Sequence, residues 1–374
     1  MRLRIDSVEP LAQGQAFGSA GAYERVTGVA YGEVDPLDAR NQVIVNLDKA
    51  PRNARGLVEY QADFFILRPA QPARGNGTLL YEVTNRGRKL LMRSFLDAEL
   101  YGPPGNNDPR TAADLGNGWL LRQGYTLLWS GWDPDAPRVN HGMGMVAPLA
   151  LEGGAPLARE IRDELVSATR SPGYEPARRF RITYPAASVA AAQARLTVRR
   201  RAADPEQEVP RERWRLLDER TLELLPEGSV PEPGSLYEFY YFATSSPVLG
   251  LGLAAVRDVV AHLRSGAADP DSAVRGPLQA VLAVGISQGG RFLRDFIHLG
   301  FNQDVAGRKV FDGVLTHVAG AGGLFLNWEF GQPSRTNTQH QDHSIPECSF
   351  PFSTASLVDP VTGYTGSLFR QDGF

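Results

Sequence analysis

A serine between two glycines, in the run Gly285-Ile-Ser-Gln-Gly289, is the first candidate for chemistry in this sequence. The apolar run 279–284 before it is typical of a buried strand, and residues 290–299 after it carry apolar side chains at helical spacing. Strand, G-x-S-x-G and helix in this order predict a nucleophile elbow, a sharp turn at positive φ that projects the oxygen of Ser287 from the end of a sheet. The glycines lack Cβ atoms, so strand and helix can approach closely enough for the turn to close.

A serine nucleophile also needs hydrogen-bond donors for the oxyanion, a base, and an acid that orients the base. The first donor is predicted to be the backbone N–H of Gln288, where the helix dipole favours negative charge. The second is assigned to backbone groups of Arg86 and Gly87, in the turn after an early strand, where an ordinary helix-entry turn is the alternative. His340 and His343 lie in a predicted loop, and they are the downstream histidines free enough to act as the base.

The C-terminal part of the sequence does not supply the expected acid and base in the expected places. Where a strand–serine–helix elbow carries a triad, the chain order is Ser, then Asp or Glu, then His. His298 falls in the helix after the serine, and His317 falls inside a predicted strand at 310–318, where a hydrogen-bonded structural role is expected. Residues 324–374 contain no apolar run typical of a buried strand. We therefore predict that the chain is a fragment whose last strands, catalytic acid and catalytic histidine lie beyond Phe374.

Composition places the chain among ordinary soluble globular proteins. It has 374 residues, a net charge of −3 and 42% hydrophobic residues, so a large core is expected and nothing favours nucleic acid or a membrane surface. Cys348 is the only cysteine, which excludes an internal disulfide. No apolar run approaches the roughly 18 residues of a membrane span, and acids occupy the place of a signal-peptide core. A cytoplasmic protein without a cofactor is predicted.

The order of predicted elements favours one α/β domain with an inserted segment. Residues 1–75 are β-rich, 135–235 read as an inserted, mostly antiparallel segment, 236–323 form the core around the elbow, and 324–374 are irregular. Strands are predicted at 23–31, 41–46, 58–67, 78–84 and 125–132, and helices at 88–100, 118–123 and 251–263. Strands that alternate with helices predict a parallel sheet.

These features resemble the α/β-hydrolase superfamily, and more narrowly the bacterial family of α/β hydrolase domain-containing proteins. The stretches that carry the likeness, which covers most of the chain, are 85–87 (Asn-Arg-Gly), 123–132, 285–290, and 330–335 with the following His340. The resemblance implies an α/β-hydrolase fold with a mostly parallel sheet and helices on both faces. It further implies a serine hydrolase that acts on carboxylic esters without a cofactor, with Ser287 as nucleophile and the Gln288 amide in the oxyanion hole.

Three other interpretations stay open. Residues 250–255 match the dinucleotide pattern G-x-G-x-x-A at a predicted helix start, which would suit an NAD-dependent oxidoreductase, although no strand end frames the acid needed about 20 residues further on. His340, Asp342, His343 and Cys348 could bind a metal ion such as zinc. The chain could also be a non-catalytic binding protein built on a hydrolase scaffold.

Overall fold

A computed structural model describes residues 1–98, 107–167, 178–201, 203–266, 272–320, 322–334 and 349–369 of the chain. Its helices are α1 (Leu91–Leu96), α2 (Trp119–Arg122), α3 (Leu251–Ser265) and α4 (Gln288–His298). Its strands are β1 (Arg2–Pro10), β2 (Tyr23–Val34), β3 (Val58–Pro69), β4 (Thr78–Val83), β5 (Thr126–Ser130), β6 (Met145–Val146), β7 (Leu151–Glu152), β8 (Ala155–Pro156), β9 (Ala158–Val166), β10 (Arg179–Arg181), β11 (Arg195–Arg199), β12 (Gln207–Val209), β13 (Trp214–Asp218), β14 (Thr221–Leu224), β15 (Leu236–Thr244), β16 (Ala280–Ile286), β17 (Gly313–His317), β18 (Leu357–Val358) and β19 (Thr365–Gly366).

The largest sheet is mixed, with the strand order β1-β2-β3-β5-β4-β16-β17 and with β6 beside β3. β5, β4, β16 and β17 are parallel to one another, whereas β1, β2, β3 and β6 form antiparallel pairs and β3 joins β5 antiparallel. The prediction of a mostly parallel sheet therefore holds only for the four strands around the elbow. A parallel pair needs a crossover, usually a helix, and no α-helix separates β1, β2 and β3.

Side chains that alternate along the strands fill a core on each face of this sheet. On one face, Tyr81 of β4 and Ala283 of β16 pack with residues of α3 and α4. On the other face, Leu80 of β4 and Trp129 of β5 pack with residues of α1 and α2. Helices therefore lie on both faces, and each fully buried large apolar side chain contributes roughly 1.5–3 kcal/mol to the stability of the fold.

The inserted segment is antiparallel, and it extends further than the sequence predicts. It contains a four-stranded sheet, β12-β11-β15-β9, and a three-stranded sheet, β10-β14-β13. β15, which the sequence analysis counts with the elbow core, pairs with β9 and β11 along its length. Apolar alternation predicts β15 as a strand, but it does not tell which sheet the strand joins. Within the described residues, the parallel core resumes only at β16.

The strand predicted at 41–46 is a series of turns. The Asn41 side-chain amide donates to the carbonyl of Asp35 (2.8 Å), and the N–H of Val45 donates to the Asn327 side chain (3.0 Å). Hydrogen bonds between side chains and the backbone compete with strand pairing. Here they hold the segment in turns although its apolar pattern predicts a strand.

β17 is the outermost strand of the main sheet, and no further strand pairs with it in the described part of the chain. Leu315 and Val318 are exposed along this edge. Within the described ranges, none of the helices has the length and apolar character that crossing a bilayer requires.

Candidate active site

Ser287 occupies the turn between β16 and α4 in a strained conformation. Its φ and ψ are 56° and −108°, a region that side chains other than glycine adopt only when the surroundings hold them there. The backbone N–H of Ser287 donates to the carbonyl of His317 (2.9 Å), and its carbonyl accepts from the N–H of Arg291 (3.0 Å). Ser287 is exposed although its neighbours on both sides are buried. The strand–turn–helix context predicted for this serine is present.

Close backbone approach explains the glycines around the serine. A Cβ atom at Gly285 would lie 2.2 Å from the carbonyl oxygen of Gly289, and one at Gly289 would lie 2.7 Å from the carbonyl oxygen of Val83. At Gly290 the nearest backbone oxygen, that of Gly285, is 3.0 Å away. No side chain therefore fits at Gly285 or Gly289, because β16, the first turn of α4 and the end of β4 approach too closely there.

Gln288 contributes both of its polar groups to the elbow. Its backbone N–H belongs to the first turn of α4, where amides have no hydrogen-bond acceptor within the helix. These amides form the positive end of the helix dipole. Its side chain is fully buried. There Oε1 accepts from the backbone N–H of Arg86 (2.8 Å) and Nε2 donates to the carbonyl of Pro333 (2.6 Å). The sequence predicts a role for the backbone amide but not for the carboxamide.

The turn after β4 lies against the elbow, as its place in the chain order predicts. The Asn85 side-chain amide donates to the carbonyl of Ile286 (3.0 Å). Arg86 and Gly87 both have positive φ, of 49° and 77°. Because the N–H of Arg86 already donates to Gln288, it is not free for an oxyanion in this arrangement. Of the two predicted donors, only the N–H of Gly87 is left without an acceptor among the described residues.

The segment 331–334 joins four parts of the molecule through side-chain hydrogen bonds. Its bonds are Tyr184 hydroxyl to the Gly331 carbonyl, Gln288 Nε2 to the Pro333 carbonyl, Arg86 Nε to the Ser334 carbonyl, and Ser334 hydroxyl to the Asp133 carboxylate. This one segment is therefore bound by four parts of the molecule: the inserted segment, the elbow, the turn after β4 and the loop after β5. The sequence marks this stretch only through family likeness, because nothing local in it signals these long-range partners.

Asp133 is a buried acid that the sequence analysis passes over. Burial raises the pKa of its carboxyl to about 6, although hydrogen bonds from the Ser334 hydroxyl and the Asp135 N–H favour the charged form. Burial also lowers the pKa of the nearby Arg86 guanidinium. Asp133 follows β5 at the carboxyl edge of the parallel strands, where ligands of open α/β sheets bind. An acid in that place after a buried strand is the signal that could have identified it.

The predicted bases His340 and His343 lie outside the described residues, as do Asp342 and Cys348 of the metal hypothesis. Across the described ranges, no group of three His, Cys, Asp or Glu side chains could hold a metal ion. His317 is the last residue of β17, and the hydrogen-bonded structural role expected for it stays a prediction. Its side chain is exposed because β17 is an edge strand whose outer side is uncovered in the described structure.

The glycine pattern at 250–255 has a packing role. A Cβ atom at Gly250 would lie 2.2 Å from Oδ1 of Asn327, and one at Gly252 would lie 2.2 Å from the carbonyl oxygen of Trp132. The strand before α3 is β15, which belongs to the inserted antiparallel sheet. A dinucleotide site needs a helix that starts at the carboxyl end of a parallel strand, so this geometry does not fit an NAD site.

Comparison with known proteins gives one match. Residues 232–358 match a family model described as an alpha/beta hydrolase domain. The matched range contains the elbow, α3, α4 and the segment 331–334, and it leaves residues 1–231 outside. No curated protein and no solved structure matches the chain. The match supports a hydrolase-type scaffold in this part of the chain.

Proposed function

We propose that this protein is a serine hydrolase that cleaves a carboxylic ester through an acyl-enzyme formed on Ser287. The observation that carries the proposal is the conformation of Ser287, which is exposed at φ 56° at the start of α4 while the residues around it are buried. Strained backbone of this kind persists where the surrounding structure enforces it, and it is concentrated at active sites. The hydrolase-type scaffold of residues 232–358 supports the same conclusion.

In the proposed reaction, the Ser287 hydroxyl oxygen attacks the ester carbonyl carbon and gives its proton to a base. The carbonyl oxygen becomes an oxyanion, which accepts hydrogen bonds from the N–H groups of Gln288 and Gly87. Collapse of this intermediate expels the alcohol, which takes the proton from the base. Water then adds to the acyl-serine in the same way and releases the acid. His340 and His343 are the candidate bases in this sequence.

A cavity beside the segment 331–334 supports a role of the inserted segment in substrate binding. Its volume is about 420 Å³, which falls within the range of small-molecule sites. Ser287 is not among the residues that line it. Gln332 and Ser334 line it together with both acids and arginines of the inserted segment: Asp135, Asp163, Glu164, Arg181 and Arg220. Polar and charged groups dominate this lining, so we propose that the cavity receives a polar part of the ester.

Hydrolysis of a panel of p-nitrophenyl and polar carboxylic esters tests the proposal. The protein, expressed from its whole coding sequence, is expected to hydrolyse at least one ester, and Ser287→Ala is expected to lose at least about a thousandfold in rate because the nucleophile is gone. Ser265→Ala is the matched control, since Ser265 is exposed at the end of α3 and is expected to leave the rate unchanged. A Ser287→Ala protein with full activity contradicts the proposal. A chain that binds esters without turnover would favour the non-catalytic scaffold instead.

A further inference from the structure

We propose that Asp133 is a positioning residue, whose carboxylate holds the segment 331–334 and the Arg86 guanidinium against the nucleophile elbow. The kinetic consequences of this proposal rest on the proposed hydrolase function. Its structural consequence, an ordered turn at 85–88, does not depend on that function.

The Asp133 side chain is held rigidly where it lies. It is 1% exposed. Oδ1 accepts from the backbone N–H of Asp135 (2.9 Å), and the other carboxylate oxygen accepts from the hydroxyl of Ser334. The preceding residue, Trp132, donates its indole N–H to the carbonyl of Thr84 (2.8 Å). The loop after β5 is therefore fixed to the end of β4, and the carboxylate has one orientation toward the segment.

A continuous series of hydrogen bonds leads from Asp133 to the elbow. Ser334 binds the carboxylate through its hydroxyl and accepts from Nε of Arg86 through its carbonyl (3.3 Å). Arg86 donates through its Nη1 to Oδ1 of Asn85 (3.0 Å). Asn85 in turn donates to the carbonyl of Ile286, the residue before the serine (3.0 Å). Loss of the bond between Ser334 and Asp133 should therefore loosen the turn at 85–88, which is hydrogen-bonded to the residues on both sides of Ser287.

Charge gives the Asp133 carboxylate a second role. The charged and titratable groups that face it are Arg86, Asp135 and Tyr184. Arg88 and Arg291 repel the Arg86 guanidinium, and the charge of Asp133 acts in the opposite direction on it. Protonation of Asp133 leaves this cluster of guanidiniums without that compensation. The ionised carboxylate therefore keeps Arg86 in place on the Ser334 carbonyl.

Asp133 ionises within the pH range in which hydrolysis rates can be measured, because burial raises its pKa to about 6. Activity is then highest when the Asp133 carboxylate and the catalytic base are both deprotonated. The logarithm of the rate constant kcat should rise with a slope above one over about one pH unit near the pKa of Asp133, and Asp133→Asn should reduce that slope to near one.

Amide hydrogen exchange and pH–rate profiles of the full chain test the proposal together. Asp133→Asn is expected to speed exchange in residues 82–90 at least fivefold at pH 7.5 and to lower kcat about tenfold with KM changed less than twofold. Asp258→Asn is the matched control, because this partly buried carboxylate binds Tyr60 and Arg257 rather than a residue of the turn, and it should leave both readouts as in the parent.

The two readouts separate the outcomes. If exchange in residues 82–90 is unchanged in Asp133→Asn, the positioning role is wrong whatever the activity. If exchange rises but the acid slope of kcat stays at its parent value, Asp133 has only a structural role and the proposal is also wrong. If the parent chain hydrolyses no ester, the proposed function fails while exchange still tests the turn. Should Asp133→Asn not fold, Ser334→Ala removes the same hydrogen bond without touching the buried acid, and the same exchange criterion applies.

Discussion

Two helices in this chain begin at glycine-rich turns, and they differ in what precedes them. The elbow at 285–289 follows a parallel strand, and its serine is exposed at positive φ. The turn at 250–255 follows a strand of the inserted antiparallel sheet, and its residues are buried. In both, an added Cβ would lie 2.2 Å from another atom, at Gly285 and at Gly252. Tight packing alone therefore does not distinguish an active site from a packing contact.

The preceding strand makes the difference. A helix that follows a parallel strand begins at the carboxyl edge of the sheet, where the turns after neighbouring strands also meet. Gln288, the residue after Ser287, therefore binds the N–H of Arg86, and the segment 331–334 links Gln288 to Asp133. The start of α3 also packs on the loop after β5, at the carbonyl of Trp132, but its residues 250–255 are all buried and none of them has positive φ. The four predictions that follow test this contrast.

The largest effect is expected from a methyl group at each glycine. Gly285→Ala and Gly252→Ala should each cost roughly 3 kcal/mol of unfolding free energy, because the new Cβ overlaps a backbone oxygen that cannot move away. Only Gly285→Ala should also lower kcat per folded molecule, by about a hundredfold, since it displaces Ser287. Denaturant unfolding measures the loss of stability, and kinetics normalised to the concentration of folded protein measure kcat. Equal loss of kcat in the two variants would break the contrast.

The second effect is a pH dependence of the unfolding free energy that comes from Asp133, which is linked to the elbow. Asp133 has a folded pKa of about 6, raised by burial above the unfolded value near 4, so the folded state binds more protons between these values. Its contribution is therefore largest below pH 4, and stability falls by about 2 kcal/mol as pH rises to 6. Asp133→Asn should flatten this fall, as urea unfolding between pH 4 and 7 would show. An unchanged slope would mean that Asp133 does not titrate in this range.

The third effect concerns the Gln288 carboxamide. Gln288→Leu keeps the volume but leaves the Arg86 N–H and the Pro333 carbonyl without their partner. Unfolding free energy should drop by about 1–2 kcal/mol, since unsatisfied buried groups are costly. We expect kcat to fall more than tenfold, because the turn at 85–88 loses one of its hydrogen bonds to the elbow and keeps that from Asn85 to Ile286. Gln288→Glu, which can still accept from Arg86, should retain more activity than Gln288→Leu.

The smallest effect is a gain in stability. Ser287→Gly should raise the unfolding free energy by about 1 kcal/mol, because glycine adopts positive φ without the strain that serine carries there. Activity should be lost at the same time. Thermal and urea unfolding measure the gain. A less stable Ser287→Gly protein would show that the elbow conformation is not strained.

The features that sequence predicts well are local. The elbow follows from a strand, a serine between glycines and a helix that are contiguous in the chain. Long-range partners were not predicted, because no local pattern shows that Gln288 reaches Pro333 or that Ser334 reaches Asp133. β15 shows the same limit for the fold, since alternation marks a strand but not its sheet. The second oxyanion donor stays a prediction. The sequence offers the N–H groups of Arg86 and Gly87, and the bond from Arg86 to Gln288 leaves that of Gly87 as the candidate.

Covalent labelling tests the central claim most directly. The protein, expressed from its whole coding sequence, is incubated with a fluorophosphonate, which reacts with activated serines, and the adduct is mapped by peptide mass spectrometry. We expect a single adduct on Ser287, absent from Ser287→Ala and unchanged in Ser265→Ala. An adduct on another residue, or an unlabelled chain that hydrolyses esters, would contradict the account.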